Sequence, residues 1–155
     1  MMILIRPAQS DDAPHMCAML NAIIAKGGTT ALRTQYDTDR MIADYIHSSY
    51  GVSCFVADDA GEILGFQALE QGNPKYPVPS GWGIIATFVR IGEQGRGVGN
   101  LLFAATREAA NKVGLVAIDA TIRSENTGGL TYYSKMGFVN YTQNDTTVSK
   151  RYTLP

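Results

Sequence analysis

The sequence predicts an α/β protein, and two observations lead to this fold class. Segments of strand character alternate along the chain with segments of helical period. In the second half, a buried strand, a glycine-rich turn, a helix and another buried strand follow one another, which is the pattern of two parallel strands joined by a right-handed crossover. A hairpin upstream of this unit adds antiparallel strands.

Composition favours a single globular domain spanning residues 1–155. The chain has 45% apolar and 17% charged residues, and its net charge of −1 offers no basic surplus for a nucleic-acid partner. No stretch reaches membrane-spanning length and no signal peptide is recognisable, so we expect no membrane partner and a cytoplasmic location. Cys17 and Cys54 have no second ligand at metal spacing, so we expect buried free thiols and no metal site.

The first half of the chain carries the signals of a strand, two helices and a hairpin. The strand ends at Pro7, and Ser10, Asp11 or Asp12 is expected to cap the helix that follows. Glycines stop that helix, and a second amphipathic pattern with Asp37 or Thr38 as its cap predicts the next one. The predicted ranges are 2–7 for the strand, a helix from the cap to Gly27, 38–48 for the second helix, and 53–58 and 62–70 for the hairpin strands.

The second half begins with a proline-rich loop, which we expect to shape a binding pocket. The apolar run WGIIATFVR then predicts a central strand covered on both faces. The predicted ranges are 71–81 for the loop, 82–90 for the central strand, a helix from the glycine turn to about 112, 115–122 for the next strand and about 127–135 for a last helix, followed by the strands FVNYT and VSKRYTL. The expected apolar stripe of the long helix consists of Val98, Leu101, Leu102, Ala105, Ala109 and Val113.

The turn QGRGVGN, residues 94–100, places glycines directly before a strong helix. Such a turn presents unpaired N–H groups at the positive end of the helix dipole, and glycines leave room there for an oxyanion. The Walker A spacing is absent, and the Rossmann pattern matches poorly because position 100 is Asn. The spacing of Gln94, Gly97 and Gly99 instead fits a signature of Arg or Gln, two residues, Gly, one residue, and Gly or Ala.

At this signature the chain resembles the GCN5-related N-acetyltransferase (GNAT) family, and a second motif agrees. Asn126 is followed by Tyr133 and then by Gly137 and Phe138, as in the late helix of that family. The resemblance covers essentially the whole chain. It implies the GNAT fold, a central mixed, mostly antiparallel twisted sheet of six to seven strands with about four helices on both faces.

Within the family, the opening IRPAQSDDA and the later GGTTA are most similar to the phosphinothricin acetyltransferase-like branch. That branch usually has an acidic residue near the end of the long strand, where this sequence has Ile84 and Ile85. The usual base of the branch is therefore missing from its expected position.

The resemblance implies acetyl-coenzyme A (acetyl-CoA) as acyl donor. Its pyrophosphate would contact the glycine turn, and its pantetheine arm would pair with the long strand where that strand splays from its parallel neighbour. The expected contacts are the backbone of Phe88 and Val89 for the arm and the thioester, Asn126 on the opposite side of the arm, and Gln94, Gly95, Arg96, Gly97, Val98, Gly99 and Asn100 for the pyrophosphate.

Catalysis by direct attack needs an acid for the departing thiolate and a base for the amine. Tyr133 is the expected acid from its place in the motif, whereas Tyr132 is expected only to pack. Glu70, at the end of a hairpin strand next to the long strand, is the candidate base. Asp119 and the two histidines, His15 and His47, stay open as alternatives.

The function expected from these features is N-acetylation of a primary amine on a small molecule in a ternary complex. The alternatives are a non-catalytic acyl-CoA binding module and a protein or peptide N-acetyltransferase. A homodimer is possible by analogy with the family. Neither the acceptor amine nor the acyl chain length follows from the sequence.

Overall fold

The computed structural model describes residues 2–155 and contains one seven-stranded mixed sheet. The strands are β1 (Leu4–Pro7), β2 (Gly51–Asp59), β3 (Glu62–Gln71), β4 (Trp82–Val89), β5 (Ala117–Arg123), β6 (Val139–Gln143) and β7 (Thr147–Thr153). They lie side by side in the order β1-β2-β3-β4-β5-β7-β6, and β4 with β5 is the parallel pair. The predicted mixed, mostly antiparallel sheet of six to seven strands is confirmed.

Among residues 2–155, four α-helices cover the sheet, two on each face. They are α1 (Ala13–Lys26), α2 (Thr38–Met41), α3 (Val98–Lys112) and α4 (Thr127–Met136). The helices α1 and α2 pack on one face around Phe66, and α3 and α4 pack on the other around Ile118. We call these the α1 face and the α3 face.

The start of the first helix differs in detail from the prediction. Residues 10–12 form a short 3-10 turn before α1 begins at Ala13. Asp12 is buried, and its carboxylate accepts hydrogen bonds from the Gln9 N–H at 2.8 Å and from the Arg6 guanidinium at 2.8 and 2.9 Å. Asp12 therefore ties the start of α1 to β1 instead of capping α1 with its side chain.

The second predicted helix is shorter than expected. Asp37 caps α2 by accepting from the Arg40 N–H at 2.8 Å, as predicted. From Ile42 to Ile46 the chain is a π-helix, closed by a 2.7 Å hydrogen bond from the His47 N–H to the Ile42 carbonyl. The residues that the sequence pattern placed inward, Met41, Ile42, Tyr45 and Ile46, all pack in the core of the α1 face, so this pattern gave no sign of the π-helix.

The stripe predicted for α3 is partly wrong. Leu101 and Val113 are 44% and 54% exposed. The face that meets the sheet is rotated from the predicted one, because it also contains the buried residues Phe103 and Thr106. The buried residues of this helix are Val98, Leu102, Phe103, Thr106 and Ala110.

The two cysteines are buried free thiols, as predicted. Burial raises the pKa of the Cys54 thiol to about 12, so this group stays protonated at neutral pH. Within residues 2–155, no helix combines the length and the apolar character needed to cross a lipid bilayer.

Candidate active site

A gap opens between β4 and β5 at the centre of the sheet. Their parallel ladder covers residues 82–84 and 117–119, and beyond it the two strands continue separately to Val89 and Arg123. Residues 85–89 of β4 therefore have no strand partner on that side. An unpaired strand edge can bind an extended ligand that contains amides. The splay implied by the resemblance is present.

The alternation of the backbone decides which groups of β4 face this gap. The Arg90 N–H donates to the Leu64 carbonyl at 2.8 Å on the β3 side, and the β3–β4 register contains no shift. In an antiparallel ladder, successive residues point to opposite sides, so Phe88 also faces β3, whereas Thr87 and Val89 face the gap. Val89 stays a predicted contact of a ligand in the gap. The geometry favours Thr87 in place of Phe88, whose side chain packs in the core of the α1 face.

The glycine turn joins this gap to α3. Gly95 and Gly97 have φ values of +86° and +79°, and the β-carbon position of each has no neighbour within 4 Å. Within residues 2–155, no backbone N–H group of residues 94–100 donates a hydrogen bond. The turn therefore offers free donors, including those of Val98, at a helix N-terminus, where a diphosphate is favourably bound.

Gly99 has a different surrounding. The position of a β-carbon on Gly99 lies 2.6 Å from Cε1 of Tyr132, so a side chain there would force the Tyr132 ring to move. The Tyr132 hydroxyl donates to the Gly99 carbonyl at 2.7 Å. The present position of the Tyr132 ring thus depends on the absence of a side chain at Gly99.

The polar side chains of the turn are placed unequally. Gln94 and Asn100 line the cavity described below, and Gln94 Oε1 accepts from the Gly92 N–H at 2.9 Å, which leaves its amide N–H₂ as donor. The Arg96 guanidinium instead pairs with Glu93, and its distance to Asp59 is 3.7 Å. Arg96 is therefore expected to contact a phosphate through its backbone only.

Asn126 caps the start of α4 and supports the opposite wall of the gap. Its side-chain oxygen accepts from the Gly129 N–H at 2.9 Å, and its amide donates to the Thr29 carbonyl at 3.1 Å. Because a β-carbon on Gly129 would lie 2.6 Å from the Asn126 amide nitrogen, this arrangement depends on glycine. Asn126 thus anchors the loop after α1 to the start of α4.

Tyr133 reaches the gap from the α3 face. It is 7% exposed, and its hydroxyl oxygen lies 2.7 Å from Oγ1 of Thr87. Burial raises the pKa of the Tyr133 phenol above its ordinary value, so the phenol carries its proton at neutral pH. A protonated phenol at the edge of β4 can serve as a proton donor.

Two further polar residues surround this phenol. Gln67, fully buried on β3, lies directly opposite Thr87, and its amide nitrogen is 2.9 Å from Oγ1 of Thr87 and 3.1 Å from the Tyr132 hydroxyl. Burial raises the pKa of Tyr132 to about 12, so this phenol also keeps its proton. Tyr132 does more than pack, because its hydroxyl connects α4, β3 and α3.

Two carboxylates lie in one row on the α1 face. Glu70 and Asp119 are the register partners of Ile84 on β3 and β5, respectively. Glu70 is half-buried and accepts from Ser48 Oγ at 2.8 Å. Asp119 is 4% exposed, and its two oxygens accept from Tyr141 and, at 2.9 Å, from Thr121. Burial raises the pKa of Asp119 above its ordinary value, although both hydroxyls act in the opposite direction.

The histidines lie outside this row. His15 is exposed on α1, as predicted, and His47 is exposed after the π-helix, with its ring nitrogen Nε2 3.4 Å from Ser10 Oγ. Neither ring is among the residues that line the cavity. The carboxylates therefore remain as the candidate bases.

One open cavity of about 1660 Å³ connects the glycine turn, the gap and the two carboxylates. It extends from the glycine turn past Val89 and Tyr133 to Asn126, and on the α1 face to Glu70 and Asp119. Its turn suits a diphosphate, its strand edge suits an amide-containing arm, and its phenol and carboxylates lie at the same opening. The fold and the site define a transferase that takes an acyl group from an acyl-CoA.

Sequence comparison identifies the family. A model of the acetyltransferase (GNAT) domain matches residues 20–150. The chain therefore belongs to the GNAT acetyltransferase family, and it is an acetyl-CoA dependent N-acetyltransferase.

A curated relative agrees with this assignment, and solved structures agree with the fold. The chain is 30% identical over 138 residues to an L-methionine sulfoximine/L-methionine sulfone acetyltransferase of Pseudomonas paraeruginosa, covering 86% of this chain and 78% of that protein. Its fold matches an N-acetyltransferase of Staphylococcus aureus with a TM-score of 0.86 at 18% identity, over 100% of both chains. It also matches the yncA protein of Salmonella typhimurium, solved with its cofactor acetyl-CoA, with a TM-score of 0.79 at 16% identity, over 99% and 94% of the two chains.

Sequence reasoning missed the polar residues that contact Tyr133 and Glu70 or lie next to those contacts. Gln67 had a usable signal, because it is a lone amide within the apolar stretch ILGFQAL. Thr87 and Ser48 had none, since a hydroxyl on a strand or after a helix is common. Their partners become visible only when the strands are paired.

Proposed function

We propose that the protein transfers the acetyl group of acetyl-CoA to the primary amine of a small molecule, by direct attack in a ternary complex. The observation that carries this proposal is the acceptor end of the cavity, which is walled by two loops. Thr29 and Tyr36 line it from the loop after α1, and Lys75 and Tyr76 line it from the loop after β3. A cavity bounded by loops on two sides suits a small ligand better than an extended polypeptide.

Hydrogen bonds hold both loops in this position. The Asn21 side chain binds the backbone of Tyr36 twice, at 2.7 and 2.9 Å. The Asn73 side chain accepts from the N–H groups of Lys75 and Tyr76 at 3.1 and 3.2 Å. The pocket walls are therefore ordered parts of the fold, which favours a bound acceptor of limited size.

Glu70 is the residue that we propose takes the proton of the amine. An amine with a lysine-like pKa is neutral in roughly one molecule in a thousand near pH 7, a deficit of about 4 to 5 kcal/mol for the nucleophile. Glu70 lines the acceptor end, and Ser48 is the hydroxyl that donates to its carboxylate. Asp119 is less suited, because two hydroxyls already occupy its oxygens.

Tyr133 is the residue that we propose supplies a proton to the sulfur. When bound, acetyl-CoA supplies an activated acetyl group at the gap. The amine nitrogen forms the new bond to the carbonyl carbon, the carbon–sulfur bond breaks, and the sulfur leaves with the electron pair. An ammonium substrate loses two protons overall, of which one ends on the sulfur and one reaches solvent. Glu70 takes a proton from the amine on one face of the sheet, and Tyr133 donates a proton to the sulfur from the other face.

A thiol-release assay over a panel of acceptors tests this proposal. The panel starts with L-methionine sulfoximine and L-methionine sulfone, the substrates named for the Pseudomonas relative. It continues with unrelated small primary amines and with lysine-containing peptides. We expect thiol release with at least one small amine and none with the peptides. Release with peptides alone would contradict the small-molecule acceptor.

If no acceptor of the panel gives thiol release, calorimetric titration with acetyl-CoA shows whether the protein binds the donor at all. Binding without release on any acceptor would favour the acyl-CoA binding module. A homodimer and a cytoplasmic location stay predictions, and analytical ultracentrifugation tests the first of them.

A further inference from the structure

A chain of hydrogen bonds connects the phenol of Tyr133 to the glycine turn. It runs from Tyr133 to Thr87 over 2.7 Å, from Thr87 to Gln67 over 2.9 Å, and from Gln67 to Tyr132 over 3.1 Å. It ends at the Gly99 carbonyl, 2.7 Å from the Tyr132 hydroxyl. Which group donates in each hydrogen bond follows from the groups at the Gly99 end of this chain.

The Gly99 carbonyl determines the first three directions. A carbonyl oxygen only accepts, so the single hydroxyl proton of Tyr132 is donated to Gly99. The Tyr132 oxygen must then accept from Gln67, which requires the N–H₂ end of the Gln67 amide at this position. The same nitrogen lies 2.9 Å from Oγ1 of Thr87 and has a second proton to donate there.

Which of the two hydroxyls donates between Thr87 and Tyr133 follows from the acceptor that is left for the Thr87 proton. Because Thr87 Oγ1 accepts from Gln67, its own proton needs a different acceptor, and the Tyr133 oxygen is the side-chain acceptor within reach among residues 2–155. If Tyr133 donated to Thr87 instead, the Thr87 proton would have no acceptor in that set. Donation by Thr87 leaves the Tyr133 proton unused by the protein, at the wall of the cavity.

We infer that Gln67 and Thr87 are positioning residues, which turn the hydroxyl proton of Tyr133 away from the protein and towards the departing sulfur. This inference rests on the proposed role of Tyr133 as acid. The order of donors and acceptors in this chain of hydrogen bonds is set by the Gly99 carbonyl. The turn that is proposed to bind the cofactor therefore also orients the proposed proton donor. Gln67 Oε1 is buried with no partner among residues 2–155, as expected if the amide is held by its N–H₂ end.

A double-mutant cycle tests the inference. Thr87→Val and Gln67→Met each remove one link of the chain with little change of volume. We expect each to lower kcat about tenfold, part of the usual contribution of an acid, while KM for acetyl-CoA stays within about twofold. In a Tyr133→Phe background, each should change kcat less than about twofold, because the group on which they act is gone.

Matched variants separate positioning from packing. Thr87→Ser keeps the hydroxyl and should restore most of the turnover lost in Thr87→Val. Thr106→Val removes another buried hydroxyl, which lies on α3 and has no hydrogen-bond partner among residues 2–155. This variant should leave kcat unchanged. Thermal denaturation of all variants shows whether each one folds.

Two outcomes would overturn the inference in distinguishable ways. If Tyr133→Phe lowers kcat but the losses from Thr87→Val and Gln67→Met multiply with it, the two residues act independently of Tyr133 and the inference is wrong by itself. If Tyr133→Phe has wild-type turnover, the proposed acid role fails and the inference fails with it.

Discussion

Tyr132 and Gly99 are in direct contact at the start of α3. The Tyr132 hydroxyl donates to the Gly99 carbonyl at 2.7 Å, and the position of a β-carbon on Gly99 lies 2.6 Å from Cε1 of the ring. Gly97, two residues earlier, has open space around the same position. The glycines of one turn therefore serve two purposes, which are packing against α4 at Gly99 and an accessible backbone at Gly97.

Gly99→Ala is expected to destabilise the protein. The added methyl forces the Tyr132 ring to move, at a cost of about 1 to 3 kcal/mol in the free energy of unfolding. Urea denaturation measures this change. Gly128→Ala is the control, because its β-carbon would be 3.8 Å from the nearest atom, in ordinary contact. Equal stability of Gly99→Ala and wild type would contradict the packing role.

Gly97→Leu is expected to abolish cofactor binding while the fold survives. The side chain at φ +79° costs roughly 1 to 2 kcal/mol of backbone strain but meets no protein atom within 4 Å of its β-carbon. It would extend instead into the space where the diphosphate is proposed to bind. Calorimetric titration with coenzyme A measures the affinity, and an unchanged affinity would remove the phosphate role of the turn.

Tyr133→Phe is expected to lower kcat at least about tenfold, because the sulfur then departs without its proton donor. Affinity for acetyl-CoA should change little, since the ring and its packing remain. Steady-state kinetics on the best amine of the panel measures both quantities. Tyr152→Phe is the control, because Tyr152 is a phenol outside the cavity, and it should keep wild-type turnover.

Glu70→Gln is expected to lower kcat/KM for the amine by about tenfold to a hundredfold, because the amide cannot take a proton. Asp119→Asn should have a smaller effect, since the hydroxyls of Tyr141 and Thr121 already occupy that carboxylate. Initial rates at varied amine concentration compare the two variants. The reverse ranking would move the role of the base from β3 to β5.

Asp12→Asn is expected to lower the free energy of unfolding by about 2 kcal/mol at pH 7, because it removes a charged hydrogen-bond acceptor from Arg6. The hydrogen bond from Arg6 holds the pKa of Asp12 below its ordinary value. A depressed pKa in the native state stabilises the protein above the pKa of the unfolded chain, and this stability is lost as the pH falls through the native pKa.

The difference between Asp12→Asn and wild type should therefore shrink as the pH falls below about 4, the ordinary pKa of an aspartate. Urea denaturation at several pH values measures it. Asp11→Asn replaces the exposed neighbouring carboxylate and serves as control. A difference that does not depend on pH would mean that Asp12 acts through packing and not through its charge.

The sequence by itself determined the order of the elements, the glycine turn and the motif from Asn126 to Phe138. These features follow from local causes, since apolar period, caps and turn residues act within a few positions of the chain. The same local information led to wrong predictions where two local conformations have similar apolar patterns. These are the π-helix after α2 and the buried face of α3.

Only the tertiary structure decided which side chains meet. Strand register places Gln67 opposite Thr87 and aligns Glu70, Ile84 and Asp119 in one row, although these residues are far apart in the chain. Register depends on the whole sheet, and a shift of one residue would move each of these side chains to the other face. For that reason the sequence located the phenol and the turn, whereas the hydrogen bonds that connect them became apparent only in the folded chain.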